Sequence, residues 1–169
     1  LFELYLANQT SFPSQRTGHG MAFDEKRGTV LMFGGRTPSG ALEETWELRR
    51  SRWRRLLSAT VPPARFDHVM VYDSLRERVV VQGGNDAAGN RFNDTWEWNG
   101  LDWVRILTPH VHDSSAFVTG CYDSVRHRLV CYRVGDAQTW EYGTLAIPSV
   151  ESFGHACPGS AGMPRLTAE

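Results

Sequence analysis

No apolar run in this chain is long enough to cross a bilayer as a helix. Sustained 3.6-residue periodicity is missing too, which leaves little room for helices of any kind. Net charge is also scarce: Lys and Arg number 18 against 19 Asp and Glu, a formal balance of -1. The arginines read as interspersed with acids, so nothing in the charge pattern calls for nucleic acid or an anionic membrane as partner. Neither a P-loop nor a Ser-His-Asp order nor a pair of catalytic carboxylates stands out. Only three cysteines occur, Cys121, Cys131 and Cys157, with no CxxC and no zinc-type spacing. The first residues carry Glu3, lack a basic start and do not open on Met, so no signal peptide is read and an upstream segment is expected.

What the chain does have is repetition. Residues 65–103 read RFDHVMVYDSLRERVVVQGG, a polar run, then NDTWEWNGLDW. Residues 16–53 read RTGHGMAFDEKRGTVLMFGG, a polar run, then EETWELRRSRW. Arg, His, Asp, Arg, Gly-Gly, Thr-Trp-Glu and a second Trp recur in the same order, about 50 residues apart. The one-residue difference in length falls in the polar run after the glycines, where a surface loop absorbs it. With 41% hydrophobic and 22% charged residues over 169 positions, the composition is that of a globular protein.

Each copy divides into four short strands, predicted at residues 18–23, 29–33, 45–48 and 52–57, and at 67–72, 78–82, 95–98 and 102–107. Uninterrupted β-branched runs such as Val79-Val80-Val81 predict strands buried on both faces. The fold class is therefore all-β. Asp24, Asp73 and Asp123 end the first strand of each copy, where a carboxylate can cap its own turn. Asn99-Gly100 predicts a tight hairpin, because both residues tolerate positive φ. Gly34-Gly35 and Gly83-Gly84 predict a sharp backbone turn, or bare backbone for a neighbouring side chain to pack against.

A third copy is degraded. YDSVRHR at residues 122–128 matches YDSLRER at 72–78, and QTWEYG at 138–143 answers DTWEWNG. Val118 stands where His68 stood, Arg133-Val134 replaces the glycine pair, and no second Trp follows Trp140. Pairing Tyr122 with Leu129 sets Cys121 opposite Val130, one residue out of line with Cys131. Two buried thiols are the first reading and a disulfide the second. The domain reading is residues 1–10 as the remnant outer strand of a preceding unit, 11–60, 61–110 and a degenerate 111–150 as the three copies, and 151–169 as a linker or the start of a further domain. Residues 3–7 are expected as a lone outer strand beside the first copy, in preference to pairing with the third.

The order Arg…His…Tyr-Asp…Gly-Gly…Thr-Trp-Glu…Trp resembles the kelch repeat, strongly over residues 16–107 and less closely over 115–142. The resemblance implies blades of a β-propeller, each a four-stranded antiparallel sheet with its first strand nearest a central channel. It also implies that Trp46, Trp53, Trp96, Trp103 and Trp140 pack between blades. Propellers close with about 4–8 blades, and this chain supplies two complete blades and a degenerate third. Further blades of the same longer chain are therefore expected as partners of its end faces. The tail from Phe153 resembles the junction after propellers in some large secreted microbial proteins, which favours an extracellular setting.

Candidate sites follow from that frame. The loops after the glycine pairs are polar and differ between copies, and Arg36, Asn85, Asp86, Asn90 and Arg91 offer donors and acceptors to a protein partner or a glycan. His19 and His68 recur on the innermost strand and read as structural hydrogen-bonders, with channel ligands as the other reading. Arg16 and Arg65 read as structural residues at the start of each blade. His110, His112 and Asp113 form a weak metal candidate, since residues two apart in extended chain face one way. No cofactor is expected. The favoured function is a non-catalytic binding module; the alternative is a fragment of a galactose-oxidase-like copper radical oxidase, whose Tyr, His and Cys ligand set this chain does not reproduce.

Overall fold

The computed structural model describes residues 12–107, 118–133 and 138–143, and all secondary structure among them is β. The first copy contributes β1 (Gly20–Asp24), β2 (Thr29–Phe33), the two-residue strands β3 (Arg36–Thr37) and β4 (Gly40–Ala41), β5 (Thr45–Arg49) and β6 (Arg52–Leu56). The second contributes β7 (Val69–Asp73), β8 (Arg78–Gln82), β9 (Thr95–Trp98) and β10 (Trp103–Ile106). The third contributes β11 (Val118–Asp123), β12 (Arg128–Arg133) and β13 (Gln138–Tyr142). The strands form antiparallel sheets in the orders β1-β2-β5-β6, β7-β8-β9-β10 and β11-β12-β13, with β3-β4 a small ladder of its own. No fourth strand joins the third sheet among the described residues. The sheets stack in sequence without closing, as in part of a propeller, and the first strands β1, β7 and β11 lie side by side.

First strands begin two residues later than the pattern predicts. Gly18 (φ 65°) and Asp67 (φ 54°) sit in the left-handed region, which interrupts extended backbone. Asp67 N–H instead donates to Gly18 O across the seam between copies (2.8 Å).

Register explains how each sheet uses both faces. Met70, Val81, Trp96 and Arg105 align across the second sheet, as do Tyr72, Val79, Trp98 and Trp103, and this face meets the first sheet. Ala22, Leu31 and Phe33 meet it from the other side, giving a core in which Phe33 and Val79 are fully buried. Trp103 lies 5.2 Å from Phe33 and 5.5 Å from Trp98, ring centre to ring centre. The opposite face of the second sheet packs Val69, Val71 and Val80 against Leu129, Cys131, Tyr122, Trp140 and Tyr142. A strand whose two faces belong to two cores has no polar alternation to show, hence Val79-Val80-Val81.

Trp46 and Trp96 occupy equivalent places, paired with Met32 and Arg55 in one sheet and with Val81 and Arg105 in the other. Trp103 is the most buried of the tryptophans and packs between sheets. Trp53, its counterpart, is half-buried on the outer face of the first sheet, the face that also carries exposed Met21 and Phe23 on the opposite edge strand. Cys121 pairs with Val130 in register and both Cys121 and Cys131 are free thiols, but only Cys131 is buried, contrary to the expectation of two buried thiols; Cys121 is exposed, and burial pushes Cys131 up to about 12.

Hairpin chemistry departs from the prediction. Leu48–Trp53 and Trp98–Trp103 bracket loops of equal length. In the second copy Gly100 alone takes positive φ (101°), and the Asn99 carboxamide accepts from the N–H groups of Leu101 (2.8 Å) and Asp102 (2.9 Å). The two-residue turn with positive φ at both positions is in the first copy, at Arg50 (48°) and Ser51 (62°), where Arg49 pairs with Arg52. The hairpin predicted at Asn99-Gly100 is present, closed by Asn99 N–H donating to Asp102 O (3.1 Å), but Asn99 does not take positive φ.

Candidate functional site

One end of the stack is built from the glycine-pair loops, residues 34–44 and 83–94, and from the lead-in segments 12–19 and 61–68. Each lead-in carries an arginine that fastens its loop. Arg65 is fully buried: Nη1 and Nη2 donate to the two oxygens of Asp94 (2.6 and 3.0 Å), Nη1 also donates to Gly83 O (2.9 Å), and Nε donates to Pro63 O (3.1 Å). Its guanidinium covers the Phe92 ring at 4.1 Å. Asp94 accepts from the indole of Trp96 as well (2.8 Å). The first copy repeats this plan with Arg16, Glu44, Gly34 O and Trp46. Burial alone would raise both carboxyls, but bonds from the arginine and indole together with the arginine charge leave Asp94 and Glu44 below their ordinary range.

The glycines make the fastening continuous between copies. Gly34 (φ 67°) has no room for a side chain, since a Cβ there would lie 2.5 Å from Arg65 O. Gly35 N–H donates to Arg65 O (2.8 Å), and Arg65 N–H donates to Leu42 O (3.1 Å). The second copy's lead-in thus holds the first copy's loop in place.

On this support sit the candidate binding residues. Arg36 is exposed, bridged through its backbone to Thr17, and its guanidinium lies 4.8 Å from the Phe66 ring centre. Asn85 uses its backbone to bridge Phe66 and Arg91. Asp86 and Asn90 satisfy each other: Asp86 accepts from Asn90 Nδ2 (2.7 Å), Asn90 N–H (2.8 Å) and Ala88 N–H (2.9 Å). The Asn90 side chain is the main cause holding the Asp86 carboxyl low. Those two shape the second loop, whereas Arg91 on it and Arg36 on the first loop are exposed.

His19 is exposed, whereas His68 is only 8% exposed, and neither ring nitrogen of His68 has a hydrogen-bond partner among the described residues. His68 thus makes no such bond to the described residues. Its ring fills a hole in the first sheet, where a Cβ on Gly20 would meet Nε2 at 2.6 Å and the Phe33 ring stands at 5.6 Å. Burial first, then the charges of Arg65 and His19, hold its pKa down to about 3. His110, His112 and Asp113 lie outside the described residues, as do residues 1–10 and 151–169. Among the described residues no group of three or more His, Cys, Asp or Glu could hold a metal ion.

Two features escaped the sequence reading. At the other end of the stack each turn carries an Asp-x-x-Arg pair: Arg27 on Asp24 (2.7 Å), Arg76 on Asp73 (2.7 Å), Arg126 on Asp123 (2.6 Å). Tyrosine hydroxyls tie the last two sheets there, Tyr122 donating to Asp73 and Tyr142 to Glu97, both at 2.7 Å. The spacing was visible in all three copies. The second feature corrects the view that the arginines are interspersed with acids. Arg49, Arg50, Arg52, Arg54 and Arg55 are gathered on the β5–β6 hairpin, all exposed. The run RRSRWRR was the signal.

No family profile matches this chain, and no curated protein does. Among solved structures, that of YjhT superposes with a TM-score of 0.54 at 12% identity, covering 73% of this chain and 40% of that one. The likeness is one of fold. The chain spans less than half of the neighbour's length.

Proposed function

We propose that this chain is part of a kelch-type propeller that acts as a non-catalytic binding module, recognising a protein partner through the loops 34–44 and 83–94, with a glycan as the second class of ligand. The observation that carries this reading is a contrast within one surface. The supports under the two loops are the same in both copies, Arg, acid, Trp and Gly-Gly, while the exposed tips differ, Thr37-Pro38-Ser39-Gly40 in one and Asp86-Ala87-Ala88-Gly89-Asn90 in the other. A fold that needed only a turn there has no use for an exposed arginine beside Phe66 and another at position 91. Variable polar tips on a fixed frame are how scaffolds carry recognition.

Exposed Met21 and Phe23 stand where Met70 and Tyr72 meet the preceding sheet in the second copy. A further blade of the same kind fits that face, and the binding end would then extend beyond the loops seen here.

The test is a screen of the purified chain against arrayed proteins and glycans, run in parallel with an Arg36→Gln/Arg91→Gln variant of unchanged circular dichroism. Specific signals should fall about tenfold or more in the variant, the loss of two exposed charge-assisted contacts. Specific signals that survive both substitutions would place recognition elsewhere. Stoichiometric copper in purified material, with alcohol oxidation, would favour the oxidase instead.

A further inference from the structure

The arginine hairpin lies at the end of the first sheet away from those loops, because β5 runs from Thr45, paired with Phe33, down to Arg49. Its charge is costly to the fold. Arg49 and Arg52 face each other directly across the ladder, an arrangement of like charges that destabilises a strand pair. Arg50 and Ser51 both adopt positive φ without being glycine, at about 1–2 kcal/mol each in the general case. Arg54 and Arg55 have partners in Glu47 (2.8 Å) and Glu44 (3.4 Å). Arg49, Arg50 and Arg52 have no ion pair among the described residues.

The repeat supplies its own control. The same hairpin in the second copy has equal length, spelled Asn99-Gly100-Leu101-Asp102. The turn therefore needs no arginine at positions 49, 50 or 52 to form. What Arg49, Arg50 and Arg52 provide is a dense, unneutralised cationic tip on a chain whose remaining balance is acidic: without these three, 18 basic residues fall to 15 against 19 acids.

We infer that the β5–β6 hairpin is a second docking surface, and that its partner is a short acidic polypeptide segment. Carboxylates on an extended peptide recur at a strand's spacing, matching guanidinium groups on adjacent strands at bidentate range. A short segment is favoured over a long polyanion by the surroundings. The unpaired arginines are confined to one turn, and the arginines flanking it, Arg27, Arg54, Arg55 and Arg76, already hold carboxylates, so a nucleic acid or a sulfated polysaccharide would run off onto paired groups, whereas an acidic peptide can end where the unpaired arginines end. Tyr132, Leu101 and the loop-end arginines take no part in it.

Fluorescence anisotropy of a labelled decaglutamate peptide tests this directly. The wild-type chain should bind it saturably at about 20 mM salt and about tenfold more weakly at about 300 mM, as exposed charge contacts are screened. Arg49→Gln/Arg50→Gln/Arg52→Gln should weaken binding about tenfold or more while retaining or raising the melting temperature. Arg128→Gln, which removes an arginine paired with Glu141 at the same end, should leave it within about twofold. Arg49→Glu/Arg52→Glu should lose the acidic peptide and gain a basic one. No saturable binding at low salt, binding indifferent to the triple substitution, or tighter binding of single-stranded DNA or heparin through the same arginines would each overturn the inference.

Discussion

Trp103 donates its indole N–H to Thr45 Oγ1 at 2.9 Å, across the seam between the first and second sheets, with both side chains buried. A hydroxyl on one copy and an indole on the next are thereby made interdependent. Trp103→Ala should cost about 3–5 kcal/mol in urea unfolding, as a large aromatic is removed from a closed site. A double-mutant cycle pairing Trp103→Phe with Thr45→Val should give a coupling of about 1 kcal/mol. Additive losses would mean that the seam does not form as described.

The buried imidazole gives a pH prediction with a definite sign. His68 is held neutral, its pKa down at about 3 from an ordinary 6.5, by burial first and then by Arg65 and His19, with Gly20, Gly34 and Phe33 facing it from the first copy. Between those values the unfolded chain binds the proton and the folded chain does not. The stabilisation is therefore complete above the ordinary pKa and declines as pH falls through that window, by at most about 1.4 kcal/mol per pH unit. His68→Val, which installs the residue the third copy has at Val118, should flatten the slope between about pH 6.5 and pH 4. Parallel slopes for both proteins would show that His68 titrates freely.

Glycine substitutions should separate by position. At Gly34 a Cβ meets Arg65 O in a left-handed backbone, whereas at Gly89 (φ 88°) nothing lies within 4 Å. Gly34→Ala should cost about 3 kcal/mol or more and Gly89→Ala about 1 kcal/mol. Chemical denaturation of the two variants checks this, and equal losses would contradict the close approach between copies.

Replacing Arg50-Ser51 with Asn-Gly should stabilise the chain by about 1 kcal/mol, because Asn and Gly take positive φ more readily. The gain should be larger at low salt, where a charge beside Arg49 and Arg52 is also removed. A melting temperature unchanged at every salt concentration would argue that the turn carries neither cost.

Much of the fold was legible because the chain states it more than once. The uninterrupted β-branched run Val79-Val80-Val81 announced a strand buried on both faces, and the repeated glycine pairs announced a sharp turn or a close approach to bare backbone. What repetition could not reveal is where the copies differ in partner. Trp53 and Trp103 read identically, yet one packs between two sheets and the other borders the outer face. His19 and His68 read identically too, and one is exposed while the other fills a hole made by Gly20. Asn99-Gly100 misled for a different reason: the Asn99 side chain captures two backbone N–H groups, so positive φ is needed only at Gly100. Of the candidate site, Asp86 and Asn90 looked like available ligands because sequence does not show that they bond each other.

The most direct measurement of the functional account is an amide chemical-shift titration of the labelled chain with a protein partner or glycan found by the array screen. The account predicts shifts concentrated in residues 34–44 and 83–94, with the Asp24, Asp73 and Asp123 turns at the opposite end unmoved. Shifts centred on those turns, with the two loops silent, would contradict it.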